Sequence, residues 1–200
     1  AHSSAPEVDE TMRAACRSLD IELIDMSGAT SCGAGILGQA NRRLQITLNA
    51  RTMSIAEDLG MDIITPCATT AATLFEDLMM LKADSSLMGE VNRTLEKTTG
   101  RVLEGSIKIR HLLQVILEDI GIENFSKKVK NPIPSPLAPY YGPNLQQVGL
   151  IGGDDVFDPW YMESVIEAGG GDPIRYASRT SSAGPPGIFS EEQTVLRQSA

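Results

Sequence analysis

The sequence predicts an α/β protein of two pseudo-repeated lobes, each a small, mainly parallel sheet with flanking helices, and three observations carry that expectation. Short β-branched runs alternate with longer stretches of helical period. A proline-rich run, with Pro132, Pro134, Pro136 and Pro139, divides the chain. Finally, Ile21–Gly33 aligns with Gly171–Ala183, 150 residues further on: in both places an acidic helix precedes a strand and a Thr-Ser-small loop follows it.

The elements follow in order. Ser4 as N-cap and Pro6 in the first turn open a helix with apolar positions at Val8, Met12, Ala15, Cys16 and Leu19. Ile21–Asp25 reads as a strand, and Ser27–Gly35 as a small-residue loop. A long amphipathic helix then carries Leu44, Leu48, Ile55 and Leu59. Met61–Thr65 is a short strand stopped by Pro66. Thr69 or Thr70 opens a helix striped by Leu74, Leu78 and Leu81. Asp84-Ser85 breaks it, and residues 86–98 are helical again. Ile107–Ile109 is extended, and Leu112–Ile120 is helical up to Gly121. A helix from about Asp158 to Ala168 and a strand near Ile174–Tyr176 complete the second lobe. The expected division is therefore 1–131 for the first lobe, 132–139 for a linker and 140–200 for the second lobe.

Composition excludes several classes of function. In 200 residues, 42% are apolar, enough for a core, and only 4% are aromatic, so Leu, Ile, Val, Met and Ala must build it. Seventeen Lys and Arg against 26 Asp and Glu give a net charge of −9. A chain that grips a phosphate backbone carries the opposite balance, which argues against nucleic acid as a partner. No apolar run reaches the ~18 residues of a membrane helix. Acidic residues within the first twenty (Glu7, Asp9, Glu10, Asp20) are unlike a signal peptide. Three cysteines are too few and too odd in number for a disulfide framework. A reducing compartment, cytoplasm or organelle matrix, suits such a chain.

Few motifs carry chemistry on their own. Gly33-Ala-Gly35-Ile-Leu-Gly38 matches the glycine pattern that cradles a pyrophosphate at a helix start, and Asp58 lies twenty residues beyond it. The context is wrong, because seven residues separate Asp25 from Gly33 and Asp58 falls inside a helix. A plain glycine-rich turn is the stronger reading. Cys32 and Cys67 both follow strands, where α/β sheets gather their sites; metal ligation and simple packing suit them equally. Cys16, on the apolar face of the first helix, reads as core. His111 stands at a helix start, where capping or packing is its ordinary job, and with His2 as its only companion it supports no Ser-His-Asp set. Asp154, Asp155 and Asp158 match no calcium loop and read as a solvated cluster.

The order strand, Thr30-Ser-Cys-Gly-Ala-Gly35, long helix, Ile63-Ile-Thr-Pro-Cys67, helix resembles the cysteine-rich CCG domain. That domain occurs twice in the B subunit of heterodisulfide reductase and in related subunits of sulfur-oxidising and quinone-linked complexes. Glu104-Gly-Ser-Ile-Lys-Ile-Arg-His111, Leu117-Glu-Asp-Ile-Gly121, Ala138-Pro-Tyr-Tyr-Gly142, Gly153-Asp-Asp-Val-Phe-Asp-Pro159 and Glu167-Ala-Gly-Gly170 are similar to that family as well, so the resemblance covers nearly the whole chain. In the family, each copy supplies a cysteine, a Cys-Cys-Gly and a Cys-x-x-Cys to a non-cubane [4Fe–4S] cluster at which a disulfide is split or formed.

The resemblance implies an oxidoreductase subunit inside a larger iron–sulfur complex, soluble or membrane-peripheral through its protein partners, passing electrons to or from a thiol or disulfide. By the same resemblance, Cys32 and Cys67 are the surviving cluster ligands. Ser31 replaces the first cysteine of the pair and Thr70 the last of Cys-x-x-Cys. In the second copy Pro143 replaces the opening cysteine, Ser181 and Ser182 the pair, and Ala183 the glycine. A cluster of this kind wants about four thiolates, so the first lobe alone is expected to retain any capacity for one and the second lobe none. A degenerate redox subunit is the expected reading. The alternative is a cluster-free structural or accessory subunit that keeps the fold.

Overall fold

The computed structural model describes residues 5–146 and 155–182. Pro6 starts α1 (Pro6–Ser18) in its first turn, with Ala5 at the cap position; Ser4 lies outside the described residues. Cys16 and Leu19 are buried beneath it. The helices α2 (Ile36–Ala40) and α3 (Arg42–Asp58) follow, separated by Asn41, whose side chain caps α3 by accepting from the Leu44 amide at 3.0 Å. The strand β1 (Ile63–Thr65) leads into α4 (Ala68–Ala83) and α5 (Ser85–Thr99). Asp84 divides those two helices, as the sequence suggests: its Oδ1 accepts from Ser86 and Leu87 amides at 2.9 and 3.0 Å, so the break is a cap.

The strand β2 (Ile109–His111) pairs with β1 in parallel, with Ile63 opposite Ile109 and Thr65 opposite His111. After it come α6 (Leu112–Val115), a π turn (Ile116–Ile120) and α7 (Ile122–Lys128). The second half contains β3 (Pro136–Leu137), α8 (Gly142–Leu145), α9 (Tyr161–Ala168), β4 (Asp172–Pro173) and a closing 3-10 turn (Ala177–Thr180). β3 and β4 form a second parallel pair. The fold is therefore α/β with two small parallel sheets, and among the described residues no helix is long and apolar enough to cross a membrane.

Three expectations need correction. Ile21–Asp25 is not a strand among the described residues. Its Ile21 amide turns back to the Cys16 carbonyl at 2.8 Å, and a small cleft lined by Ile24, Met61 and Ile64 lies between the segment and β1. The proline run supplies β3, because Ser135 and Leu137 offer carbonyls to Asp172 and Ile174 amides, a role that needs no proline N–H. The buried face of α3 also keeps only part of the predicted stripe, in which Ile55 is buried. Leu44 and Leu59 are exposed, whereas Ile46, Ala50 and Met53 enter the core beside Gln45, Asn49 and Thr52.

The main core packs α3, α4 and α5 over the first sheet through Met53, Leu74, Leu78, Leu81, Leu95 and Ile109. Leu74, Leu78 and Leu81 are all buried, so the stripe of α4 is the one its spacing indicates. A smaller cluster of Tyr141, Leu145 and Tyr161 packs on Ala68, Leu113 and Leu117, which joins the second half to the first. Its two tyrosine rings meet edge to face, 4.8 Å between centroids. Leu81→Ala is expected to lower the unfolding free energy by about 2–5 kcal/mol, while Leu44→Ala should change it by about 0.5 kcal/mol or less. Urea denaturation of the two variants checks which face of each helix holds the core.

Candidate functional site

The two cysteine-bearing loops meet at the carboxyl end of β1, the end at which parallel sheets place their sites. The first loop is fastened to α3. Arg51 donates to the Gly28 carbonyl at 2.8 Å, and the Thr30 amide donates to Thr52 Oγ1 at 3.3 Å. At the end of this loop the Cys32 carbonyl accepts from Gln45 Nε2 at 3.2 Å and from Asn49 Nδ2 at 3.0 Å. Asn49 uses its other N–H on Asp77 Oδ2 at 2.6 Å, and Arg42 meets Asp77 Oδ1 at 2.7 Å. Arg42 also donates to Gln45 Oε1 at 2.9 Å, closing the ring of contacts.

Asp77 has 0% of its side chain exposed. Burial pushes its carboxyl above the usual carboxylate range, against the opposing pull of Asn49 and Arg42. An exposed α3 stripe of Arg42, Gln45 and Asn49 would be the ordinary reading of such polar residues; their spacing of three and four is the one signal in the sequence that they share a face. The structure turns that face inward.

The second loop is set by β1 and β2. Pro66 ends β1, and the Cys67 amide donates to Thr65 Oγ1 at 3.1 Å. Cys67 is the N-cap of α4, with no side chain capping that end. His111 holds this turn from β2. Its Nε2 donates to the Pro66 carbonyl at 3.0 Å and its Nδ1 accepts from the Leu113 amide at 3.2 Å, which assigns the neutral tautomer. Burial pushes the imidazole below its ordinary value, with the Pro66 bond opposing. His111 is thus the cap that its position suggests.

Cys32 is partly buried and Cys67 exposed. The hydroxyl of Thr70, on the first turn of α4, donates to Cys32 Sγ at 3.6 Å. Ser31 is occupied locally, its Oγ accepting from the Gly33 amide at 3.4 Å. Cys16 is buried on α1 with its thiol pushed up by burial, a packing residue as its helix face indicates. His2, Asp154 and Ala183 lie outside the described residues. Asp158 is exposed, as a solvated loop predicts, and pairs with Arg175 and Arg179, Arg175 drawing its pKa down.

A cavity of about 700 Å³ opens beside these loops, lined by Gly35, Gly38, Thr69, Glu76, Tyr140 and Pro143 among others. It is bounded by both halves of the chain, and Asn144 Nδ2 donates to Thr69 Oγ1 at 2.9 Å across it. The glycine loop does not form a nucleotide cradle of the usual kind. α2 is only five residues long, and Asp58, at the far end of α3, pairs with Arg101 at 2.7 Å. Gly38 serves packing instead, since a Cβ there would come within 2.5 Å of Gln45 Oε1.

Across the cavity the second half carries a buried polar group of its own. Tyr141 donates its hydroxyl to Glu163, which is fully buried, and Arg179 Nε lies 3.5 Å from the same carboxylate. Burial, then the bond to Glu163, pushes the Tyr141 hydroxyl up. Nothing in the local sequence signals this group, because its members are 16 to 38 residues apart. Pro143, Ser181 and Ser182 surround it in sequence and supply no thiol.

Residues 1–74 match the family model of the CCG cysteine-rich domain. The chain is 23% identical over 186 residues to the B subunit of the ferredoxin/F(420)H(2)-dependent CoB-CoM heterodisulfide reductase of Methanosarcina acetivorans, covering 91% of this chain and 61% of the relative. It is 29% identical over 126 residues to a heterodisulfide reductase B-subunit-like protein of Archaeoglobus profundus, covering 62% and 42%. It is 23% identical over 203 residues to the 8-methylmenaquinol:fumarate reductase membrane anchor subunit of Wolinella succinogenes, covering 98% and 68%. The first third of the chain is thus similar to the cysteine-rich domain and most of its length to heterodisulfide reductase B subunits, and it spans about three fifths of the length of the Methanosarcina relatives it matches.

Cys32 and Cys67 alone do not make up the donor set of a [4Fe–4S] cluster. Such clusters are held by about four thiolates, and here two thiols stand with the hydroxyls of Ser31 and Thr70. Among the described residues no group of three or more His, Cys, Asp or Glu could hold a metal ion. Two outcomes are expected from the site geometry. Asn49→Ala should cost about 1–3 kcal/mol of stability by stranding Asp77, read by urea denaturation. Because the folded pKa of His111 lies below its ordinary 6.5, stability is full above that pH and is lost as pH falls towards the folded pKa. His111→Asn, which keeps an acceptor for the Leu113 amide, should flatten that loss in urea melts run across this range.

Proposed function

We propose that this chain is a degenerate heterodisulfide reductase B subunit, one component of an iron–sulfur oxidoreductase complex engaged in thiol- or disulfide-linked electron transfer. The redox-complex setting rests on the relatives, whose names are those of reductase subunits. The degeneracy rests on one observation: Thr70, standing where the family has its last cysteine, touches Cys32 at 3.6 Å. On this reading a hydroxyl stands where the family has a thiolate. Soft iron–sulfur centres select thiolates over hydroxyls.

On this reading Cys32 and Cys67 are the two residues through which a cluster on the first lobe would be held. The pseudo-repeated lobes are 1–131 and 140–200, and the second holds no cluster. The Tyr141–Glu163–Arg179 group sits beside Pro143 and Ser181, the positions vacated there. It supplies the second half with internal polar contacts that require no metal. The compartment is a reducing one, cytoplasm or organelle matrix, with any membrane association made through other subunits.

A second reading is favoured by the same loss of ligands: a cluster-free accessory subunit whose fold serves assembly alone. Iron and acid-labile sulfide, measured on protein purified without oxygen, separate the possibilities. The degenerate reading expects at most one cluster, about four irons per chain, lost in C32A and C67A. About eight irons per chain, or iron that neither substitution removes, would overturn it. Zero iron, unaffected by either substitution, would leave the accessory reading in its place.

A further inference from the structure

We infer that the free edge of β1, with the cleft beside it, is a docking surface for an extended peptide whose side chains alternate between basic and apolar. The backbone is the first support. β1 pairs only with β2, Ile64 opposite Arg110, and the Ile63 amide donates to the Lys108 carbonyl at 2.9 Å. In a parallel pair the backbone groups of successive residues point to opposite edges. Those of Ile63 and Thr65 therefore serve β2, and the amide and carbonyl of Ile64 face away from it. Among the described residues neither of these two groups has a hydrogen-bond partner. An edge of this kind is a template for one more strand.

The second support is what faces that edge. Ile21–Asp25 runs past it without pairing, and among the described residues the amides of Glu22, Leu23 and Ile24 donate to no carbonyl. The cleft left between them measures about 190 Å³, room for a side chain of an incoming strand. Ile24, Leu59 and Met61 line it and are 49%, 43% and 46% exposed, an apolar cluster open to solvent.

Charge narrows the occupant. The lining holds four carboxylates, Asp9, Glu22, Asp25 and Asp62, and one cation, Arg13. Asp9 and Asp25 already share Arg13, at 2.9 and 2.5 Å. Asp62 spends one oxygen on the Lys108 amide at 2.8 Å, and neither it nor Glu22 has a basic partner among the described residues. An acidic rim around an apolar floor favours lysine or arginine on either side of an apolar residue and repels an acidic strand. The free edge thus sets the extended form of the partner, and the rim sets its charge.

The test uses the full chain and a labelled, end-blocked peptide, Lys-Ile-Lys-Val-Lys-Ile-Lys, in about 150 mM salt, where distant charges are screened. Fluorescence anisotropy should show saturable binding. The same peptide with Glu for Lys, and the parent peptide N-methylated at two successive central residues to remove a donor from each edge, should each bind about tenfold or more weakly. I24K and L59K change exposed side chains, so urea melts should match wild type while affinity for the parent peptide falls about tenfold. Amide hydrogen exchange read by NMR should show Ile64 protected only when the peptide is bound. Binding that survives N-methylation, or that is unchanged in I24K and L59K, reports charge attraction alone and overturns the proposal. So does no binding up to about 1 mM peptide. An Ile64 amide already protected in the free chain also overturns it, because Ile21–Asp25 would then cover the edge itself.

Discussion

Taking a carboxylate out of water costs several kcal/mol unless charge and hydrogen bonds answer it, and the answer given to Asp77 organises the first half of this protein. Asp77 is on α4, its partners Arg42 and Asn49 are on α3, and Asn49 spends its second N–H on the backbone of Cys32. The same side chain that hydrogen-bonds the buried carboxylate therefore fixes the position of the cysteine loop. Gln45 repeats the arrangement, bound to Arg42 on one side and to the Cys32 carbonyl on the other. Helix packing and site geometry are set by one set of bonds. A network of this kind is cooperative, because each partner removed leaves another buried and unanswered.

The second loop is governed by a lighter device. His111 reaches from the end of β2 to the Pro66 carbonyl while capping α6. The parallel pairing of β1 and β2 brings Thr65 opposite His111, so the register that closes the sheet also delivers the imidazole to the turn before Cys67. Two distant stretches, one ring of polar contacts on α3 and one histidine on β2, thus bring Cys32 and Cys67 to the same end of the sheet.

Much of this was legible in the sequence where local rules act alone. The Leu74–Leu78–Leu81 stripe, the Asp84 cap, the stop at Pro66 and the capping role of His111 are decided within a few residues and appear where expected. The misreadings share another cause, namely partners far away in the chain. Ile21–Asp25 has the composition of a strand, but β1 does not take it up, since a strand exists only through its neighbour. The buried face of α3 could not be told from a solvated one, because Asn49 and Gln45 are satisfied by Asp77 and Cys32, 28 and 13 residues away. Of the candidate site, the residues Cys32 and Cys67 were legible; the polar ring that places Cys32 was not.

The second sheet has one further consequence. Asp172 and Ile174 turn their amides toward β3, and Ser135 and Leu137 turn their carbonyls toward β4. Successive residues of a strand face opposite sides, so Pro136 and Pro173 fall on the outward edges, each at the spot where an amide would otherwise face away from the pair. Neither rim can donate a backbone hydrogen there. An incoming extended peptide finds no donor to register against, and the pair is protected from growing into a wider sheet or templating aggregation. A partner meeting either edge of this pair must do without a backbone donor at Pro136 and Pro173.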